Sequence, residues 1–325
     1  MMSSLNEIIT NRLDLSAGYT IRDGFVFTST TDPTNIFDSL VIRNPLTANV
    51  MSPMLGISPR SLEDHINLIN FHALKKAVVI ATSLDFLSLC PSLEYLEIHP
   101  VHQAGVLFDN TPIYNLPNLK GLHFVTQDIW GKEQGTPVDY RQLTHLKEAI
   151  IVGKKHLGYE EIGTLQKLSL GYQNQRDLIN VCSKGSLLDL DIDHCKIESL
   201  DGIDKAYSLR SLTLSHNQRL GDISQLEQLS SSIEELTIDT CSQITDFSPL
   251  ASLTQLKHLV LCGTNKLPSL LFLNSMPNLA TFVLTMTVVD GDIRPCLRIP
   301  YVHIANRRHY NLKNNMLSKK VIVKQ

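Results

Sequence analysis

Apolar residues return along this 325-residue chain in one spacing, L-x-x-L-x-L, whose last two apolar positions alternate with polar ones. The spacing occurs at "LEYLEI" (Leu93, Leu96, Ile98), "LKGLHF" (Leu119, Leu122, Phe124), "LKEAII" (Leu146, Ala149, Ile151) and "LQKLSL" (Leu165, Leu168, Leu170). It continues at "LLDLDI" (Leu187), "LRSLTL" (Leu209), "IEELTI" (Ile233), "LKHLVL" (Leu256) and "LATFVL" (Leu279), and a degenerate copy, "LKKAVV", begins at Leu74. Successive starts lie 19 to 27 residues apart and are most regular from Leu165 onward. Alternation of this kind predicts a short half-buried strand, and a recurring period predicts stacked repeats. Leu236 and Ile238 then point inward, and Glu235, Thr237 and Asp239 point outward.

Between strands, arms such as "ITDFSPLASL" keep Ile244, Phe247, Leu250 and Leu253 for the same core, and Pro249 prevents an extended helix. One unit cannot bury its apolar face alone, so neighbours must stack. At the ninth position of successive units stand Cys195, Asn217, Cys241 and Thr264, small side chains able to bond the turning backbone from inside the stack. A cysteine there is expected to be a buried structural thiol.

These features carry a resemblance. "CSQITDFSPLASLTQLKHLVL" (241–261), with the similar arm "NQRLGDISQLEQL" from 217, resembles the short-repeat class of leucine-rich-repeat proteins shared by bacterial internalins and the eukaryotic phosphatase-regulator type. The resemblance covers residues 74–290, about two thirds of the chain. It implies an α/β leucine-rich-repeat solenoid, with a curved parallel sheet on the concave face and short helical or irregular return arms on the convex face.

Residues 1–73 are expected to form an N-terminal cap, with strands at "GFVFTST" and "FDSLVIR". An amphipathic helix in "SPRSLEDHINLINFHAL" would follow, with Ser61 and Asp64 in capping spacing and Leu62, Ile66 and Ile69 on one face. About ten repeats would fill 74–290, and 291–325 would supply a cap strand (Tyr301, Val302, His303, Ile304) and a basic tail. That tail places six Lys or Arg and no acid in residues 301–325, which leaves residues 1–300 at −9.

Hydrophobic residues make up 43% of the chain, enough for a substantial core. The N-terminal "MMSSLNEIITNRLDLSAGY" has no basic region leading into an apolar one, and no apolar run approaches the ~18 residues of a membrane span. A cytoplasmic protein is therefore expected, without secretion signal or wall anchor. Six cysteines without C-x-x-C spacing fit reduced thiols and argue against a zinc framework.

The outward strand positions hold the candidate site. In "LLDLDIDHC" (187–195), Asp189, Asp191 and Asp193 share one face, about 6.5 to 7 Å apart along the strand. That is too far for all three to ligate one calcium ion. Registered stacking should set Asp193 beside Ser215, then Asp239, then Cys262, and should set Glu235 between Ser211 and His258. Earlier strands offer Val78, Ile80, Tyr95, His99, His123, Val125, Ile150 and Val152, an apolar and aromatic patch. Apolar anchors with charge suit a protein-binding face, although solvated acids on an open sheet also serve solubility alone.

The expected function is a non-catalytic protein-binding module, with Tyr95, His99, His123, Ile150, Asp189, Asp191, Asp193, Glu235, Asp239 and His258 meeting a protein with a basic patch. It would act as a scaffold, a regulator or an inhibitor, an immunity-type inhibitor of a toxin being one form. No catalytic residue, metal or cofactor is expected, and the protein should be a monomer without a membrane partner. Nucleic acid is not expected either, since "NRRHYNLKNNMLSKKVIVKQ" (306–325) has one tyrosine and six charges beside an acidic body. The rival class is a metal-binding protein or enzyme using Asp193, His194 and His216, against the plainer alternative of two solvated histidines at strand ends. His258 and Cys262, about 13 Å apart along one strand, cannot form a nucleophile and base pair.

Overall fold

The computed structural model describes residues 19–22, 25–28, 39–43, 62–100, 107–124 and 136–317, and the chain divides into two compact units, 1–164 and 165–325. Ser61, Val125 and the tail lysines Lys319, Lys320 and Lys324 lie outside the described residues, as do the side chains of Asp64 and Ile80.

In the first unit, β1 (Tyr19–Arg22) and β2 (Phe25–Thr28) pair antiparallel. Then follow β3 (Ser39–Arg43), helix α1 (Leu62–His72), β4 (Lys76–Ala81), β5 (Tyr95–Pro100), β6 (Gly121–Phe124) and β7 (Glu148–Val152). Strands β3 to β7 are parallel and adjacent in chain order. On β4 to β7, Val79, Ile98, Phe124 and Ile151 point inward and are fully buried. The helix lies where the sequence predicts it, with Ile69 buried and Ile66 half-buried as part of the expected face. His65 and Ile69, one turn apart, are its buried stripe, while Leu62 at the first turn sits on the rim and is 45% exposed.

The second unit contains β8 (Lys167–Gly171), β9 (Asp189–Asp193), β10 (Ser211–Ser215), β11 (Glu235–Asp239), β12 (His258–Cys262), β13 (Lys266–Leu267), β14 (Thr281–Leu284), β15 (Thr287–Val288) and β16 (Tyr301–Ile304). Seven of them form a parallel sheet in the order β8, β9, β10, β11, β12, β14, β16. Two apolar rows run straight across it. Leu190, Leu212, Leu236, Leu259, Phe282 and Val302 make the first; Ile192, Leu214, Ile238, Leu261, Leu284 and Ile304 make the second. All are buried. β16 is thus a repeat strand in register with β14, and Ile299, Val302 and Ile304 restate the spacing with β-branched residues.

The return arms from β9 onward carry 3-10 turns. Pro249 opens the turn Ser248–Ser252, and Ile244, Phe247, Leu250 and Leu253 are buried as the sequence predicts. β13 and β15, on two neighbouring arms, add a small second sheet.

Four of these strands end at a left-handed corner. Tyr172, His194, His216 and Thr240 follow β8, β9, β10 and β11 with φ of 58°, 51°, 54° and 52°. Single residues can hold this conformation where the surroundings fix it, and histidine is over-represented there. Here backbone bonds fix it: the amides of His194 and His216 donate to Ser215 O at 3.0 Å and Asp239 O at 2.8 Å. The next residue then turns inward, so Gln173, Cys195, Asn217 and Cys241 are all buried.

The expectation for Thr264 fails. After β12 the corner is Gly263, with φ of 128°, and one additional residue follows before the chain turns in. Asn265 takes the interior slot and Thr264 is exposed. Asn265 Nδ2 donates to Cys241 O at 3.0 Å and to Ile244 O at 2.8 Å, the role foreseen for the ninth position. Among the described residues, no helix is long and apolar enough to cross a membrane.

Candidate functional site

On the open face of the second unit, the pleat sends every other strand residue outward. The lateral order is the expected one: Asp193 pairs with Ser215, Ser215 with Asp239 and Asp239 with Cys262, while Glu235 lies between Ser211 and His258. Asp189, Asp191 and Asp193 are half-buried and Glu235 is exposed. Lys167, in register with Asp189, is the one lysine or arginine at an outward strand position of this sheet among the described residues. The cations directly preceding β10 and β12 are taken up elsewhere, since Arg210 Nη1 and Lys257 Nζ both pair with Glu234, at 2.7 and 2.6 Å. The face is therefore acidic with serine and threonine between the acids.

These carboxylates are not equivalent. Asp191 accepts a 3.0 Å bond from Ser169 Oγ, and burial still pushes its carboxyl above its ordinary value. Burial also acts on Asp193, but the approach of His194 and His216 more than offsets it and holds that carboxyl low. Asp239 Oδ1 accepts from Thr240 Oγ1 at 2.7 Å. Corner residues add an aromatic ladder that sequence reasoning missed: Tyr172 stacks on His194 at 4.9 Å between ring centroids, and His194 on His216 at 4.4 Å. The available signal was the slot directly after each strand, which these three residues share.

The face of the first unit differs from the apolar and aromatic patch expected. Val78 faces the open side but is buried, whereas Ile150 is 41% exposed. Between Tyr95 and His99 stands Glu97, passed over in reading "LEYLEIHP" although it too is an outward residue. His99 Nε2 lies 2.7 Å from Glu97 Oε1, and His123 Nδ1 lies 3.9 Å from Oε2. Burial raises the Glu97 carboxyl, yet the imidazoles of His123 and His99 beside it prevail and hold it well below the usual range. The Tyr95 ring covers Gly121, where a Cβ would overlap it, and Lys76 Nζ stands 5.6 Å from that ring's centroid.

The six cysteines are free, and five are buried. Burial pushes the Cys195 thiol up to about 12 and that of Cys241 to about 11, and it also raises Cys262, which is only half-buried. Alkylation of the native protein should therefore modify Cys262 first and leave Cys195 and Cys241 unmodified until unfolding, as peptide mass spectrometry would record. Early labelling of Cys195 would contradict its interior position.

No protein-family model matches the sequence, and no curated protein matches it. Solved structures do. An internalin from Listeria monocytogenes is 20% identical, with 92% of this chain and 90% of that chain covered and a TM-score of 0.55. Internalin C2 of the same organism, also 20% identical, aligns over 67% of this chain and 93% of its own at a TM-score of 0.46. A leucine-rich-repeat protein of Leptospira interrogans, 15% identical, covers 82% of each chain at 0.36. The parallel strands, the registered leucine rows and the likeness to the first internalin define the fold as a leucine-rich-repeat solenoid of the short-repeat class.

Proposed function

We propose that the protein is a non-catalytic binding module whose open sheet face within residues 165–325 engages a protein partner through a basic surface. One observation carries this: folding lines up Asp189, Asp191, Asp193, Glu235 and Asp239 on one rigid face that offers a single lysine. Carboxylates so placed attract and orient a basic partner, and the intervening Ser211, Thr213, Ser215 and Thr237 supply hydrogen-bonding groups. Repeat folds commonly use the sheet face in this way. Tyr95, His99, His123 and Ile150 belong to the other unit's own face, where Ile150 is the exposed apolar contact.

A catalytic role finds little support in the thiols, because burial disfavours the reactive thiolate at Cys195, Cys241 and Cys262 alike. The module would act as a monomeric scaffold, regulator or inhibitor in the cytoplasm, in keeping with six unpaired cysteines.

The test is affinity capture with the wild-type chain and with an Asp189→Lys/Glu235→Lys variant, compared by quantitative mass spectrometry. Basic proteins retained by the wild type should be lost from the variant. The same proteins retained equally by both would overturn the assignment.

A further inference from the structure

The corner that closes β9 and β10 does more than turn the chain. We propose that Asp193, His194 and His216 form a binding site for a late first-row divalent metal ion such as Zn2+, held across two adjacent repeats. Two imidazoles and a carboxylate are the donor set such ions favour, with water completing the shell.

Geometry supports the assignment. His194 Nδ1 lies 2.9 Å and His216 Nδ1 3.1 Å from the same oxygen, Asp193 Oδ1. Ligand atoms bound to one ion at ~2.0 to 2.2 Å stand about 2.9 to 3.4 Å apart for angles between 90° and tetrahedral, so both nitrogen–oxygen edges already have the required length. All three donor atoms lie within 4.8 Å of one another. His216 Nδ1 is hydrogen-bonded to Asp193, but His194 Nδ1 is not. It is a buried nitrogen without a hydrogen-bond partner, beside a carboxylate oxygen that it meets off line. An ion seated among the three would satisfy it.

The site is also built on fixed backbone. Asp193 ends a strand paired on both sides, and the corner amides of His194 and His216 are bonded to the next repeat. The rings, now stacked at 15° to each other, must tilt apart to aim both nitrogens at one ion. Side-chain exposures of 37% and 27% leave them room and give the ion an entry path.

The experiment is calorimetric titration of the full chain with Zn2+ at pH 7.5, with excess Mg2+ present as an oxygen-preferring competitor. His194→Asn and His216→Asn are the informative variants, because asparagine tolerates the left-handed corner and cannot replace the imidazole; Asp193→Asn removes the carboxylate charge. Wild type should bind one Zn2+ and melt at higher temperature with it. Each variant should stay folded by circular dichroism, lose at least the ~10- to 100-fold in affinity typical of damage to a metal site, and lose the thermal shift. Absence of saturable Zn2+ binding by the wild type, or equal binding by all three folded variants, would overturn the proposal.

Discussion

Leu236→Ala and Leu259→Ala are each expected to lower the free energy of unfolding by about 2 to 5 kcal/mol, while Thr237→Ala on the adjoining outward position changes it by about 0.5 kcal/mol or less. Leu236 is 1% exposed and Leu259 is fully buried. They are neighbours in the first apolar row, with Leu212 on one side and Phe282 on the other. Truncating either removes apolar burial and leaves a cavity that three strands line and cannot close without breaking the parallel ladder. Because each repeat is supported by its neighbours, the loss falls on two inter-repeat contacts as well as on the repeat itself. Urea unfolding followed by circular dichroism measures all three variants. Similar losses at Leu236 and Thr237 would contradict the inward and outward assignment.

Asn217→Ala should be comparably damaging, at about 2 to 6 kcal/mol, since two buried backbone groups lose their partners at roughly 1 to 3 kcal/mol each. The Asn217 amide is fully buried: Nδ2 donates to Ile192 O at 2.8 Å, and Oδ1 accepts from Cys195 N at 2.9 Å. It fastens the end of one repeat to the corner of the one before. Gln218, the next residue, is exposed, and although its Nε2 donates to Thr240 O at 3.1 Å, Gln218→Ala should cost about 0.5 kcal/mol or less. Thermal melts of the two variants decide the matter. Equal shifts would mean that the interior bonds of Asn217 contribute nothing beyond a surface contact.

Much of the fold was legible because the strands repeat a period of two inside a longer period, a pattern that survives substitution among leucine, isoleucine and phenylalanine. The rows through Leu190 and Leu236 follow from it directly. β16 was legible as a strand but not as a repeat, since its unit opens on Ile299 rather than leucine. The slip from Thr264 to Asn265 depends on how Gly263 turns, which spacing alone does not encode. For the site, lateral neighbours such as Asp193 and Ser215 were legible because equivalent positions of stacked repeats must meet. Side-chain direction was not. Nothing in "LLDLDIDHC" says that His194 and His216 close on one oxygen of Asp193, or that Glu97 draws two histidines to itself.

The acidic face as a steering surface is tested most directly by association kinetics. A basic protein captured by the wild type is measured against wild type and Asp189→Lys/Glu235→Lys, at low and at physiological ionic strength. The variant should keep its circular dichroism spectrum, bind more slowly, and show a weaker dependence of the association rate on salt. A folded variant with the wild-type rate and the wild-type salt dependence would contradict the account, and would place the contact away from this face.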